Sequence, residues 1–140
     1  MSWGFAVNGV LDQPVRLRRW TLIVYWTLMF LATHWPDVER WVPSKWNLPD
    51  IDKVIHAGMY GGWAAIWWWL LAGKRTPISR AAIGWLLVGG MVYAAFDEIS
   101  QGWVDRHPDV LDWACDMMGM IAAVLVLRGL TRQRPARNLR

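Results

Sequence analysis

This chain of 140 residues has a single cysteine and few charged residues, and no segment shows alternating polar and apolar residues. One cysteine excludes an intramolecular disulfide framework and a metal site built from several cysteines. Charged residues make up 19% of the chain, below the roughly 25% of ordinary soluble domains. Because 55% of the residues are hydrophobic, a disordered chain is also excluded. The absence of alternation argues against β-strands and favours helices.

Tryptophan, in contrast, is abundant, with 13 residues. The mean hydropathy of +0.17 understates the apolar character, since hydropathy scales score tryptophan as mildly polar. Four apolar segments stand out, at residues 20–35, 54–73, 81–96 and 111–127. Each is close to the ~20 residues that a helix needs to cross a bilayer. They predict an all-α integral membrane bundle of four transmembrane helices, because a soluble bundle would need more polar faces for water.

The basic residues give the bundle a direction. Most of the 15 lysines and arginines lie before the first segment, between the second and third, or after the fourth, and Asp12 is the one acidic residue there. The positive-inside rule places these regions, and therefore both termini, in the cytoplasm. We expect a cytoplasmic segment at residues 1–19, the membrane domain at 20–130 and a basic tail at 131–140. This explains the pI of about 9.7 without nucleic acid and predicts membrane lipids as partners.

Tryptophans and small residues indicate how the helices meet lipid and each other. Several tryptophans near predicted helix ends, among them Trp67 and Trp68, predict an aromatic belt at the membrane interface. The alternative is a Trp-rich surface that binds pigment or partner helices. The loop at residues 36–50 is expected to lie along the membrane surface. Small residues spaced four apart predict close helix packing. They are Gly58 and Gly62; Gly90 and Ala94; and Cys115, Gly119 and Ala123.

Polar residues interrupt the outer ends of the apolar segments, and such residues are by default functional candidates. Within each of three groups, the spacing puts the side chains on one helix face. The groups are Lys53, His56 and Tyr60; Glu98 and Gln101; and Asp112 and Asp116, with Arg106 in the connection before the last group. Asp97 points about 100° away from Glu98, and His34 and His107 are interpreted as interfacial. The pattern predicts a single polar site at the outer leaflet.

The pattern Asp52-Lys53-x-x-His56-x-x-x-Tyr60 resembles the first signature of the VanZ-like membrane proteins. A second pattern resembles their second signature: Glu98-x-x-Gln101-x-x-x-x-Arg106-x-x-x-x-x-Asp112-x-x-x-Asp116-x-x-Gly119. Together they extend from residue 52 to the end of the fourth segment. Asp116 is a departure, because many relatives carry asparagine there. The resemblance implies a bacterial cytoplasmic-membrane protein whose founding relative is linked to resistance to the glycopeptide antibiotic teicoplanin. It implies no particular reaction.

The polar residues have the chemistry for proton transfer and for binding an anionic headgroup. Glu98 and His56 are the candidate catalytic acid and base, because an imidazole titrates near neutral pH and a partly desolvated carboxyl group can carry a proton. Lys53 and Arg106 are the candidate cations for a phosphate. The other candidate ligand-binding residues are Tyr60, Gln101, Asp112 and Asp116. We expect this site to bind an anionic lipid or envelope precursor; whether it also modifies that ligand stays open.

Other interpretations also stay open. The charged groups could pair across helices and only tie the bundle together. The chain could be a non-catalytic, Trp-rich accessory subunit of a larger membrane complex, or a homo-oligomer, whereas a transporter is disfavoured for want of an inverted repeat. No cofactor and no metal site is predicted. Asp112 and Asp116 could bind a divalent cation together with His56 or Glu98. The sequence lacks a second histidine at a fixed spacing, however, which disfavours such a site. Cys115 is not expected to be a nucleophile, because nearby aspartates disfavour a thiolate.

Overall fold

The computed structural model describes residues 13–35, 51–72 and 78–132. These residues form four α-helices: α1 (Val15–Thr33), α2 (Ile51–Leu71), α3 (Arg80–Gln101) and α4 (Val110–Arg132). A short 3-10 turn, Gly102–Val104, extends α3. No strand occurs in the described ranges, so the predicted all-α class is confirmed. The loop at residues 36–50 and most of the two predicted terminal segments lie outside the described residues.

Local chemistry sets the helix ends. Pro14 precedes α1 with a φ of −59°, at a position where its missing N–H removes no helical hydrogen bond. The Ser79 side chain accepts a hydrogen bond from the backbone N–H of Ala82 and caps the start of α3. Asp105 follows the 3-10 turn with a φ of 59°, a left-handed conformation that aspartate tolerates better than most residues. This turn reverses the chain before α4.

The closest helix contact joins α2 and α4. A Cβ atom added at Gly119 would overlap the backbone of Ala57, and one added at Gly61 would lie 3.2 Å from the Gly119 carbonyl oxygen. Helices approach this closely where small residues face each other. The close contact predicted at Gly58 is wrong, because nothing lies within 4 Å of a Cβ atom built there. The seam in α2 is therefore formed by Ala57 and Gly61.

Aromatic rings fill the middle of the bundle. The ring centroids of Trp26 and Tyr93 lie 4.9 Å apart, and those of Trp26 and Trp63 lie 5.9 Å apart, both edge to face. This is the favoured geometry for aromatic pairs. Trp63 and Trp68 are 3% and 5% exposed. The prediction that Trp68 belongs to an interfacial belt is therefore wrong, whereas Trp85, at 75% exposed, faces outward.

The described residues distribute polarity in the reverse of the soluble-protein pattern. The buried polar and charged side chains are Arg18, Thr33, His56, Asp97, Glu98, Ser100, Gln101 and Asp116. Large apolar side chains cover the outside instead. More than half exposed are, for example, Ile23, Val92, Ile99, Leu125 and Val126. An apolar exterior of this extent is typical of a surface that contacts a membrane or another protein.

Two helical stretches are long and apolar enough to cross a membrane, Arg80–Val104 with 25 residues and Val110–Thr131 with 22. In the first stretch 28% of the most apolar 18-residue window is buried inside the structure, and in the second stretch 17%. A core helix of a soluble protein can be equally apolar, but it is mostly buried. The low buried fraction of these two helical stretches therefore favours lipid as their surroundings. Within the described ranges, α1 and α2 do not meet the same criterion, and the four-span arrangement stays a prediction.

Candidate functional site

The three predicted polar groups meet at one end of the bundle, where α2 begins, α3 ends and α4 begins. Ion pairs and hydrogen bonds join side chains from all three helices. We define the His56 cluster as His56, Glu98, Asp112 and Asp116. Helical spacing places these side chains on three separate helix faces, and packing turns the three faces toward each other.

His56 stands at the centre of this cluster and is 5% exposed. Its Nδ1 atom lies 3.0 Å from Oδ1 of Asp116 and 3.7 Å from Oε1 of Glu98. Its Nε2 atom lies 3.9 Å from Oδ2 of Asp112. Three carboxyl groups therefore surround one imidazole ring, an arrangement that can hold a proton on the ring or present several ligands to a cation.

Glu98 is held in place by two further donors. The side-chain amide of Gln101 donates to Oε1 over 3.2 Å, and the backbone N–H of Asp109 donates to Oε2 over 3.0 Å. Both carboxylate oxygens are engaged, and the side chain is 5% exposed. Glu98 thus connects the end of α3 to the start of α4 with a fixed orientation.

Lys53 lies at the edge of the cluster, before the apolar part of α2. Its ammonium group donates to Asp52 over 3.1 Å and to Asp109 and Asp112 over 3.2 Å each. The hydrogen bonds to Asp52 and Asp112, and then that to Asp109, raise the pKa of Lys53 above its usual value. A backbone hydrogen bond from Leu111, together with Lys53, lowers the pKa of Asp109. The charge of Lys53 is therefore balanced by the protein itself.

Arg106 lies apart from the His56 cluster. Its Nη1 atom donates to the backbone carbonyl of Thr33, at the end of α1, over 2.6 Å. Within the described ranges, Arg106 forms no ion pair and no hydrogen bond to the cluster. The two cations predicted to act together therefore have different roles here: Lys53 neutralises carboxylates, whereas Arg106 keeps a charge that no described acidic side chain balances.

A second polar group, which the sequence did not predict as part of the site, joins α1 to α3. We define the His34 cluster as Thr33, His34, Asp97 and Ser100. The Thr33 hydroxyl donates to Oδ1 of Asp97 over 3.0 Å, and Nε2 of His34 lies 2.8 Å from the Ser100 hydroxyl. Asp97 is fully buried. The one signal in the sequence is the adjacent Thr33 and His34 at the end of the first apolar segment.

The Tyr60 hydroxyl lies next to the carboxyl group of Asp97, and Oδ2 of Asp116 has no hydrogen-bond partner among the described residues. All three residues are 0% exposed. The Tyr60 ring is close enough to both carboxyl groups to interact with their charge. Leaving a buried polar group unpaired costs about 1–3 kcal/mol, so the unpaired oxygen of Asp116 is a position at which a water molecule or an ion can bind.

An open groove runs along the outside of the bundle between α1 and α3, with a volume of about 350 Å³. It is lined by Ile23, Trp26, Thr27, Phe30 and Tyr93. The Phe30 ring also stacks on the imidazole of His34, with 3.9 Å between ring centroids. One end of this apolar groove is therefore next to the His34 cluster. That cluster includes Thr33, whose carbonyl oxygen accepts the hydrogen bond from Arg106.

No family model, no curated protein and no solved structure matches this chain. The resemblance to the VanZ-like proteins accordingly rests on the two residue patterns around His56 and Glu98.

Proposed function

We propose that the chain is a multi-pass protein of the bacterial cytoplasmic membrane, with four spans and both termini in the cytoplasm. The apolar exterior around a buried polar interior supports membrane insertion. The charge distribution supports the orientation. All described acidic residues lie at the end of the bundle that holds the His56 cluster, whereas Arg16, Arg18, Arg19, Arg80 and Arg128 lie at the other end.

Labelling of introduced cysteines tests this topology. In a Cys115→Ala background, His107→Cys marks the acidic end and Gln133→Cys marks the chain after α4. A membrane-impermeant maleimide applied to intact spheroplasts should label the cysteine at position 107 and should label that at position 133 only after permeabilisation. The opposite pattern, or labelling of both without permeabilisation, contradicts the proposed orientation.

Within this membrane protein, the function we propose is binding of an anionic lipid or a lipid-linked envelope precursor at the outer leaflet. Arg106 carries the proposal: it has no ion-pair partner among the described residues, and it donates to the carbonyl oxygen of Thr33, about one helical turn after the groove residue Phe30. An acyl chain fits the groove while a phosphate binds the guanidinium, which suits phosphate geometry. Glu98 and His56 are then the candidate acid and base, should the bound ligand react.

Binding of phosphatidylglycerol tests the headgroup site. Nanodiscs or detergent micelles containing phosphatidylglycerol or phosphatidylcholine are offered to wild type, Arg106→Gln and the matched control His107→Gln. Loss of a charge-assisted hydrogen bond of about 1.5–3 kcal/mol weakens binding about tenfold or more. We expect that loss for Arg106→Gln alone and for the anionic lipid alone. Equal retention by all three proteins contradicts the proposal.

The accessory-subunit alternative is favoured by the Trp-rich end of α2, which holds Trp63, Trp67, Trp68 and Trp69. Trp63 and Trp68 are buried and pack inside the bundle, which leaves a smaller tryptophan surface for a partner. The ligand site is therefore the function we put first.

A further inference from the structure

We propose that His56, Glu98 and Asp116 form a binding site for one divalent transition-metal ion, of the class of Zn²⁺ or Mn²⁺. One potential ligand atom from each residue lies within 4.8 Å of the others. Ligands bound at about 2.0–2.2 Å to a tetrahedral ion lie roughly 3.5 Å apart, and Nδ1 of His56 lies 3.0 Å from Oδ1 of Asp116 and 3.7 Å from Oε1 of Glu98. This inference goes beyond the proposed lipid binding and does not depend on it.

The charge balance of the interior favours a cation at this position. Asp97, Glu98 and Asp116 are all buried, and burying carboxylates without compensation is costly. The ammonium of Lys53 is already engaged by three other carboxylates. His56 is the base beside Glu98 and Asp116, whereas His34 lies 3.7 Å from Asp97. A divalent cation compensates two of these carboxylates and leaves His56 neutral, the form in which imidazole binds metals.

The surroundings of the three ligands resemble the support that metal sites receive. When Nδ1 of His56 binds an ion, Nε2 carries the proton and faces Oδ2 of Asp112 at 3.9 Å. A shift of about 1 Å brings this pair to hydrogen-bond distance, and a carboxylate so placed fixes a ligating histidine and strengthens the metal bond. Glu98 is likewise oriented by Gln101 and by the backbone of Asp109. All these partners lie on rigid helices or directly beside them.

An unpaired atom at the same place gives an independent indication of a missing partner. Oδ2 of Asp116 is fully buried and has no hydrogen-bond partner among the described residues. The Tyr60 ring, one helical turn after His56, is also buried and lies near Asp116. An ion bound at the cluster would give Asp116 the partner that it lacks.

The ligand types decide the class of ion. Mg²⁺ and Ca²⁺ prefer sites made wholly of oxygen, whereas imidazole together with carboxylates suits transition metals. The sequence did not predict this site, because each ligand comes from a different helix and no short metal-binding motif is present.

Metal titration of the full-length chain, purified with any histidine tag removed, tests this inference. Electron paramagnetic resonance should report about one bound Mn²⁺ per chain, and Zn²⁺ should displace it because zinc binds such sites more tightly. His56→Gln and Asp116→Asn should each weaken binding by at least about tenfold. Asp52→Asn, which alters an exposed carboxylate on Lys53 outside the proposed ligand set, is the matched control and should bind as wild type does.

The unfolding temperature of the wild type gives a second measurement that needs no variant. Zn²⁺ or Mn²⁺ should raise it by several degrees, and EDTA should reverse the change. The inference is overturned if neither ion binds or shifts the unfolding temperature. It is equally overturned if the two variants bind as well as wild type, or if Mg²⁺ and Ca²⁺ stabilise the protein and Zn²⁺ and Mn²⁺ do not.

Discussion

The Nδ1 atom of His56 on α2 lies 3.0 Å from Oδ1 of Asp116 on α4, and both side chains are buried. This contact is possible because Gly119, one turn further along α4, lets the backbone of Ala57 come within van der Waals contact. The closest helix packing and the central polar contact therefore lie on the same pair of helix faces. The site depends on that packing as much as on its own residues.

Replacement of Gly119 by alanine should separate the two helices, because the added methyl group overlaps the Ala57 backbone. Overpacking of this kind costs about 1–3 kcal/mol, and it should also widen the gap between His56 and Asp116. Thermal unfolding in detergent measures the effect. Gly58→Ala is the matched control, since a Cβ atom there meets nothing within 4 Å, and it should be neutral or slightly stabilising. Equal behaviour of the two variants contradicts this packing.

Arg18 should stabilise the fold far more than its neighbour Arg19. Arg18 is 3% exposed, and its guanidinium donates to the carbonyl oxygens of Trp69 and Ala72 over 2.9 and 3.0 Å, which terminates α2 with two charge-assisted bonds. Arg18→Gln should lower the free energy of unfolding by about 1–3 kcal/mol, whereas Arg19→Gln, at an exposed position, should change it little. A similar loss in both variants would show that net charge alone is responsible.

The pH dependence of stability should show the contribution of Asp109. Because the folded protein lowers the pKa of this carboxyl group, its contribution is present above the unfolded pKa of about 3.9 and is lost as the pH falls through the folded pKa. Asp109→Asn removes it and can still accept the hydrogen bond from Leu111. The stability difference between wild type and variant should be constant above about pH 5 and shrink in stronger acid. A difference that grows toward low pH contradicts the assignment.

Glu98→Gln and Arg106→Ala should abolish a cellular phenotype of the chain while leaving its membrane insertion intact. The resemblance to VanZ-like proteins makes teicoplanin tolerance of an expressing bacterial host the phenotype to measure. His107→Ala serves as the control, since this exposed residue lies beside Arg106 in the chain and outside both polar clusters. If both variants are as active as wild type, the polar site does not act through these residues.

Helical class and the end of the bundle at which polar side chains gather were predictable from the sequence. Spacing alone places Lys53 with His56, and Asp112 with Asp116, on shared helix faces, and the alternation of helix direction brings those faces to one end. The contribution of α1 was not predictable, because the face of α1 that meets α3 depends on how the helices cross. The sequence analysis therefore did not predict that Thr33, His34 and Asp97 form a cluster.

Predictions from residue type alone were wrong or incomplete where the same residue type is common in two different environments. Tryptophan suits both membrane interfaces and helix cores, and burial of Trp68 follows from packing that no local pattern encodes. Arginine near a helix end fits the positive-inside rule, yet Arg18 also binds the last carbonyls of α2. In α2, Gly58 and Gly61 are equally small, and only the helix crossing selects Gly61.

Native mass spectrometry of the chain, extracted gently from its own membranes, tests the proposed ligand site most directly. We expect a free species of 16.2 kDa or a small homo-oligomer that carries an adduct of the mass of an anionic lipid, and we expect Arg106→Gln to lose that adduct. Recovery without any lipid adduct, in a fixed ratio with larger unrelated subunits, would contradict the ligand site and make the chain an accessory component whose polar cluster ties its helices together.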